Sequence, residues 1–378
     1  MGIVPGLASD EPSQAVKDLV KKYGKKAFTT ATELEEKPKK IISFSPALDL
    51  ILGGGITEGS WITISGAPKA GKTTSILHLC AKLQRPENGG RNIYYINAEG
   101  RIKPRDTKGI EGLNKNKFTV IGSYVDDDDE DKVTSKIFDA EEFLSIAEDL
   151  IHNEPGCVVV IDSLSALCAA KEKVAEIGQQ QRAPVAVLVS QFCKHVGSVI
   201  GINNCIIISV NHIIANTSGY GKAKIESGGN KQRYAADIIL EIKNFEYWKI
   251  GGKDAPETEA PIGQIPTWEV HCSALGPPGR KIQSYIRYGV GIDEAYEIMQ
   301  LGLDMGFIDK SGAWYRCSFM KDHLDILGVE AWDKDAEKMC QVQGMDKLHK
   351  LLQAKSEWFD ILNREVKMML LGEVKTEI

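Results

Sequence analysis

The chain has 378 residues, of which 43% are hydrophobic and 26% charged, and its formal net charge is −6. This length suffices for one large domain with appendages or for two ordinary domains, and the acidic balance excludes a globally basic surface for nucleic acid, so any polyanion site must be local. Eight scattered cysteines without a C-x-x-C pair argue against structural zinc, and the lack of a signal-peptide pattern or of an apolar run near the roughly 18 residues of a membrane span predicts a cytoplasmic protein with no membrane partner.

The first predicted element is a short amphipathic helix. The segment "SQAVKDLVKKY" has apolar residues at helical spacing, with Ser13 as an N-cap and Gly24 as a stop. The segment "TELEEKPKK" that follows is charged and contains a proline, so it is predicted to be a linker with a boundary near Lys40. We therefore expect three regions: an N-terminal helix and linker (1–40), a core (41–300) and a mainly helical C-terminal region (301–378).

The core alternates short β-rich runs with helical stretches. The strand candidates are "WITIS", "NIYYIN", "FTVI", "CVVVIDS", "CIIISVN" and "DIILEI". Such alternation predicts an α/β fold with a mainly parallel sheet flanked by helices. The acidic run "DDDDED" from Asp126 to Asp131 is predicted to be a solvated loop. After Gly291 the pattern becomes helical, and "KLHKLLQAKSEWFDILNREVKMMLL" is predicted to form one long amphipathic helix.

A glycine-rich loop follows the first strand of this series. The segment "GAPKAGKT" matches G-x-x-x-x-G-K-[ST] and leads into the helix candidate "TTSILHLCAKLQ". Glycines let successive backbone N–H groups face an anion, and the helix N-terminus adds partial positive charge. The loop is therefore predicted to bind the phosphates of a nucleoside triphosphate. Its residues are Gly66, Ala67, Pro68, Lys69, Ala70, Gly71, Lys72, Thr73 and Thr74.

Triphosphate chemistry needs a cation, a metal and a base. Lys72 is predicted to reach the β- and γ-phosphates, and Thr73 to offer its hydroxyl to Mg²⁺. Asp162, at the end of "CVVVIDS", is the candidate carboxylate on the metal side. Glu99, at the end of "NIYYINAEG", is the candidate that orients or deprotonates the attacking water. The alternative for Glu99 is a solvated acid at a strand end.

Six blocks in order resemble the core of RecA-type recombinases. They are "SPALDLILGGGITEGSWITISGAPKAGKTT", "YYINAEG", "VVVIDSLSAL", "IISVNH", "GGNKQRYAADIILEI" and "YGVGID". "AVKDLVKKYGKKAF" is similar to the N-terminal polymerisation helix of that family, and "LGLDMGFIDKSGAWY" to the segment after its core. The resemblance covers roughly residues 13–320 and favours a phage-encoded or otherwise divergent member.

The resemblance implies ATP and Mg²⁺ as cofactors. It assigns Lys72 and Thr73 to the phosphate loop, Asp162 to the Mg²⁺ side and Glu99 to catalysis. It adds His212, which stands after a strand where the family usually has a glutamine that senses the γ-phosphate. A histidine can donate a hydrogen bond to a phosphate oxygen as glutamine does. The alternative is a strand-end histidine with a structural role.

The resemblance also implies two DNA-binding loops, "AEIGQQQRAP" and "IIANTSGYGKAKIES". The candidate DNA contacts are Arg182, Tyr220, Lys222 and Lys224.

Two departures from the family pattern concern the nucleotide. Where the pattern has a pair of lysines that reach the neighbouring subunit's ATP, this chain has Cys272 and Ala274; Arg280 and Lys281 lie close downstream and are the candidate replacements. The positions expected around the base, near Pro104, also differ, so adenine preference is less firmly implied than triphosphate binding.

The implied function is that of a DNA-dependent ATPase. Such a protein forms helical homo-oligomeric filaments on single-stranded DNA, engages duplex DNA and promotes pairing and strand exchange in recombination and repair. Single-strand-binding and mediator proteins are implied partners, and the expected location is a bacterial or phage-infected host cytoplasm. Two alternatives remain: a ring helicase or regulatory ATPase with the same core, and a non-hydrolysing nucleotide-switched filament.

Overall fold

The computed structural model describes residues 12–126, 134–174, 184–215, 224–226, 233, 235–249, 256 and 258–372. At 126, 134, 214, 215 and 224–226 only the backbone is described. Contacts divide the chain into two units, Met1–Lys40 and Ile41–Ile378.

The N-terminal unit begins with the predicted helix, α1 (Gln14–Tyr23). Its N-cap is Ser13, whose hydroxyl accepts from the backbone N–H of Val16 at 3.4 Å. A second helix, α2 (Ala31–Glu35), includes the first four residues of the segment predicted to be a linker, so that prediction was wrong for those residues. The reason is a capping box that we did not recognise, in which Thr30 and Glu33 each accept from the other's backbone N–H.

The second unit contains the remaining elements. From residue 41 to 153 they are β1 (Ile41–Ile42), α3 (Pro46–Leu52), β2 (Ile56–Thr57), β3 (Trp61–Gly66), α4 (Lys72–Leu83), β4 (Ile93–Ile96), α5 (Pro104–Lys108), β5 (Phe118–Ile121), β6 (Tyr124–Asp126), β7 (Thr134–Lys136) and α6 (Ala140–Asn153). From 158 to 292 they are β8 (Val158–Ile161), α7 (Ala170–Val174), α8 (Pro184–Asn203), β9 (Ile206–Ala215), β10 (Lys224–Glu226), β11 (Ile238–Trp248), β12 (Gly263–Cys272), β13 (Lys281–Gln283), β14 (Ile286–Arg287) and β15 (Gly291–Ile292). Beyond them lie α9 (Glu294–Asp304), β16 (Ile308–Ser311), β17 (Trp314–Cys317), α10 (Leu324–Leu327), α11 (Lys334–Met339), β18 (Gln341–Gln343), α12 (Met345–Ala354) and α13 (Ser356–Leu371).

The main sheet has the strand order β15-β14-β12-β11-β3-β9-β8-β4-β5. The pairs from β11 through β5 are parallel, whereas β12, β14 and β15 continue the sheet with antiparallel pairs. All six strand candidates from the sequence lie in the parallel part. The predicted α/β fold with a mainly parallel sheet is therefore confirmed.

The two faces of this sheet bury two separate cores. Along β8, Val158 and Val160 join the cluster that includes residues of α3 and α4, while Val159 and Ile161 join the cluster formed with α6 and α8. Successive side chains of a strand point to opposite faces, so a fully apolar strand such as β8 supplies both layers at once. The helices thus cover the sheet on both sides and leave its strand ends open.

Helix α8 is long and apolar enough, by length and composition alone, to span a membrane, with a mean hydropathy of 1.5. The sequence had suggested no such stretch. Val189, Phe192, Val196 and Ile200 belong to the core cluster on one face of the sheet, at the spacing of one helix face. We therefore interpret α8 as a core helix of this unit.

The C-terminal region differs from its prediction in two ways. The expected single long helix is two helices, because the chain leaves helical geometry at Lys355, where φ is −108° and ψ is 84°. Leu348 of α12 and Trp358 and Leu362 of α13 pack in the same core cluster on either side of the break. A small antiparallel sheet, β16-β17-β18, was also missed, since its strands are only three or four residues long.

Candidate functional site

The candidate site lies at the carboxyl ends of β3, β8 and β4, beside β9, which was predicted to end before His212 but continues to Ala215. Gly66 at the end of β3 is level with His212 in β9, and β8 and β4 lie next in the sheet. Asp162 follows β8 directly, and Glu99 follows β4. Because the carboxyl ends of parallel strands meet at one edge, these four positions converge although they are widely separated in sequence.

The loop between β3 and α4 has the geometry of an anion cradle. Lys69 has a positive φ of 61°, and Gly71, the residue before α4, has a φ of 97°. A Cβ on Gly71 would meet the side-chain ends of Gln264 and Ile286, and the positive φ there is strained for any residue other than glycine. Ala67, Pro68 and Lys69 are exposed, whereas Ala70 is buried in the core. The exposed arc followed by a helix N-terminus is the arrangement that binds phosphates.

Lys72 is a buried cation at the base of this loop. Its ammonium donates to the carbonyl oxygens of Gly66 at 3.0 Å and Ala67 at 2.9 Å. Burial lowers the pKa of Lys72, and the nearby carboxylates of Asp162 and Glu99 oppose that shift. An ammonium group has three N–H donors, so one remains for a phosphate oxygen while two stay on the loop.

Thr73 and Asp162 form an oxygen-rich pair beside the loop. The hydroxyl of Thr73 donates to Oδ2 of Asp162 at 3.1 Å, and the hydroxyl of Tyr95 donates to the same oxygen. Burial raises the pKa of Asp162, and these two hydrogen bonds counteract the shift. One carboxylate and one hydroxyl fit Mg²⁺, which takes few protein ligands and fills its shell with water and phosphate oxygens. The sequence offered no signal for Tyr95, which lies inside β4.

Glu99 is held by two donors. Oε1 of Glu99 accepts from the hydroxyl of Ser163 at 2.8 Å and from Nε2 of His212. Arg101, whose side chain is 80% exposed, lies 3.4 Å from the other oxygen. Burial acts to raise the pKa of Glu99, but the hydrogen bonds from His212 and Ser163 hold it below its usual value. Glu99 is therefore an ionised acceptor with a fixed orientation.

The structure thus brings together Glu99 and His212, which the sequence nominated separately. Nδ1 of His212 and both side-chain polar atoms of Asn211 are buried and make no hydrogen bond within the described part of the chain. Ser163, which fixes Glu99, was not identified from the sequence, although it directly follows Asp162 in the "VVVIDS" block.

The two cations predicted to contact a neighbouring subunit's ATP have other partners in this structure. Arg280 donates to the carbonyl oxygen of Leu50 at 3.1 Å, and Nζ of Lys281 lies 3.4 Å from Glu269. The described contacts of these two cations do not bring them to the phosphate loop. Cys272 is exposed at the end of β12.

The predicted DNA contacts are mostly beyond what the structure describes. Arg182, Tyr220 and Lys222 lie outside the described residues, and Lys224 is described only in its backbone. That backbone belongs to β10, which pairs antiparallel with β9 through Lys224 and Ala215. Strand β9 therefore runs on past His212 directly into the predicted DNA loop.

Comparisons with known proteins give a consistent set of relatives. The family described as the RecA N-terminal domain matches residues 11–293. The protein RecA of Rickettsia bellii (strain RML369-C) is 29% identical over 358 residues, 93% of this chain and 94% of the relative. Protein RecA of Rickettsia africae (strain ESF-5) is 30% identical over 308 residues, 80% of this chain and 81% of the relative. That of Blastochloris viridis is 29% identical over 303 residues, 76% of this chain and 80% of the relative.

Proposed function

The chain belongs to the RecA family, and from that membership we propose that it is a DNA-dependent ATPase that forms helical filaments on single-stranded DNA and promotes homologous pairing and strand exchange. The observation that carries the proposal is the convergence of Lys72, Thr73, Asp162, Glu99 and His212 at one edge of the sheet. It unites a phosphate cradle, a magnesium-compatible pair and an oriented carboxylate.

Each side chain has a role that follows from its contacts. Lys72, which donates to the loop carbonyls, and the loop N–H groups would hold the β- and γ-phosphates, and Thr73 with Asp162 would hold Mg²⁺. The ion would supply positive charge that screens the phosphate oxygens. Glu99, ionised and fixed by Ser163, accepts a proton from the attacking water.

His212 connects nucleotide to DNA in this proposal. Its Nε2 donates to Glu99, and a γ-phosphate oxygen would compete for the same N–H. Movement of the imidazole would act on β9, which continues to Ala215 and the predicted DNA loop. ATP and DNA could then influence each other through one strand.

We further propose that residues 1–40 serve oligomerisation, that 41–300 form the ATPase core and that 301–378 form a C-terminal region. The protein would act in a bacterial or phage-infected host cytoplasm, with single-stranded and then duplex DNA, a helical homo-oligomer, and single-strand-binding and mediator proteins as partners. Arg280 and Lys281 remain candidates for the cations that reach a neighbouring subunit's ATP.

One experiment separates the candidate functions. Protein is mixed with single-stranded DNA and ATP or a slowly hydrolysed analogue, and both ATP turnover and electron micrographs are recorded. Helical filaments with DNA-stimulated turnover support the recombinase; closed rings support a helicase or regulatory ATPase; filaments without turnover support a nucleotide switch. The folded variant Lys72→Ala is the control and should lose turnover, because the loop then lacks its buried cation.

A further inference from the structure

Two cysteines meet at the edge of the sheet opposite the candidate site. Cys157 directly precedes β8 and Cys205 directly precedes β9, and the first residues of these neighbouring strands, Val158 and Ile206, are paired. The two sulfur atoms are 3.7 Å apart. Adjacent strands lie roughly 4.8 Å apart, which is within the Cα separation that a disulfide spans.

Arg91 fixes this arrangement. One guanidinium nitrogen, Nη1, donates to the carbonyl oxygens of Gly156 at 3.0 Å and Asn204 at 2.7 Å. These are the residues immediately before Cys157 and Cys205, so one side chain ties both approaches to the strands. Nη2 of the same guanidinium forms an ion pair with Glu58 at 2.7 Å. The relative position of the two cysteines is therefore fixed by Arg91 as well as by the pairing of β8 with β9.

Cys157 lines a surface cleft beside the sulfur pair. Cys157 forms part of the wall of a cleft of about 400 Å³, together with Glu58, Arg91 and Glu154. Cys157 itself is 2% exposed and Cys205 is fully buried behind it. A small oxidant such as hydrogen peroxide would therefore reach the pair from the Cys157 side, and this requires local movement of the cleft wall.

The two thiols also share a proton unequally. The thiol of Cys157 donates to the sulfur of Cys205, and this hydrogen bond raises the pKa of Cys157 and lowers that of Cys205. By contrast, burial alone raises the pKa of the isolated Cys80. Thiolate is the form that reacts with peroxides, and the hydrogen bond favours it on Cys205 over Cys157.

We propose that Cys157 and Cys205 are a peroxide-sensitive dithiol that closes to an intramolecular disulfide between β8 and β9. The thiolate attacks the peroxide oxygen, the O–O bond breaks, and a sulfenic acid and hydroxide form. The partner thiol then attacks the sulfenic sulfur and displaces its oxygen as water. In total the two thiols lose two electrons and two protons, and hydrogen peroxide becomes two molecules of water.

The disulfide would join the starts of β8 and β9, the strands that lead to Asp162 and His212. It closes a loop that contains α7 and α8, and such a closure lowers the entropy of the unfolded chain. For a loop of this length we expect the thermal unfolding midpoint to rise by about 5 °C, provided that the bond is unstrained. Oxidation of Cys157 and Cys205 does not depend on the proposed function.

The test uses the full chain carrying Cys272→Ser, which removes the exposed cysteine and with it disulfides between molecules. After treatment with hydrogen peroxide, peptides are mapped without reduction. A linked peptide pair containing Cys157 and Cys205, a raised unfolding midpoint and reversal of both by dithiothreitol support the proposal. Intact thiols at both positions, or separate sulfinic acids, would overturn it.

In the same background Cys157→Ser and Cys205→Ser should each abolish the link and the shift in midpoint. A retained shift in either variant would overturn the proposal, because another reaction would then cause it.

Discussion

Removal of the Tyr95 hydroxyl should weaken the use of Mg²⁺ while leaving the fold intact. Tyr95 is 1% exposed, and its hydroxyl donates to the same Asp162 oxygen that accepts from Thr73. A hydrogen bond to a charged group contributes about 1.5–3 kcal/mol, which corresponds to about 10- to 100-fold in an equilibrium constant. Loss of the partner of a metal-binding residue has a similar effect on metal affinity. We therefore expect Tyr95→Phe to raise the Mg²⁺ concentration for half-maximal ATP turnover about 10-fold or more.

The matched control is Tyr94→Phe. Tyr94 is the preceding residue of β4, so its side chain lies on the other face of the sheet, where it packs against the second core cluster. Both variants lose one hydroxyl from one strand, and equal thermal unfolding midpoints would show that the fold tolerates both changes. If Mg²⁺ titrations of ATP turnover give the same half-saturation for Tyr95→Phe, Tyr94→Phe and wild type, Tyr95 does not support the ion.

Glu99→Gln should slow ATP hydrolysis by about 10²-fold or more with ATP binding retained, since the variant cannot accept the proton; turnover at the wild-type rate would remove Glu99 from the mechanism. Glu294 has a pKa of about 2 because Lys82 and His78 outweigh the effect of its burial, so its contribution to stability is present above the ordinary value of 4.5 and is lost as pH falls towards 2. The thermal midpoint of wild type should therefore fall more steeply in that window than that of Glu294→Gln, and parallel curves would contradict this reasoning. Replacement of Lys222 and Lys224 by alanine should weaken binding to single-stranded DNA and reduce the slope of its salt dependence by about 0.7 for each phosphate that the protein no longer neutralises; titration of a labelled oligonucleotide at several salt concentrations measures both, and an unchanged slope would exclude this loop as the DNA site.

The sequence was most informative where the candidate functional residues are contiguous in the chain. The phosphate loop, the strand before it and the helix after it are encoded in one stretch, so Lys72 and Thr73 could be nominated from spacing alone. The apolar strands were recognisable because both of their faces are buried. Asp162 and Glu99 could be found because each acid stands at the end of such a strand.

Contacts across the sheet could not be predicted in the same way. The hydrogen bond between Tyr95 and Asp162 depends on β4 lying beside β8, and that between Glu99 and His212 joins residues 113 apart in sequence. Strand order is a property of the folded chain that periodicity does not reveal. The break at Lys355 was missed because both halves have helical periodicity, and the periodicity does not mark the residue at which helical geometry is lost.

The pairing of β9 with β10 separates residues 216–223 of the second predicted DNA loop from the candidate nucleotide site. Three residue pairs, which join 213–215 to 224–226, close the base of the segment 216–223. The ladder fixes the two ends, so a different sequence or length between them leaves His212 and the phosphate loop in the same register. Chimeras that exchange only 216–223 with the corresponding segment of a relative should therefore alter DNA preference while ATP affinity measured without DNA stays unchanged.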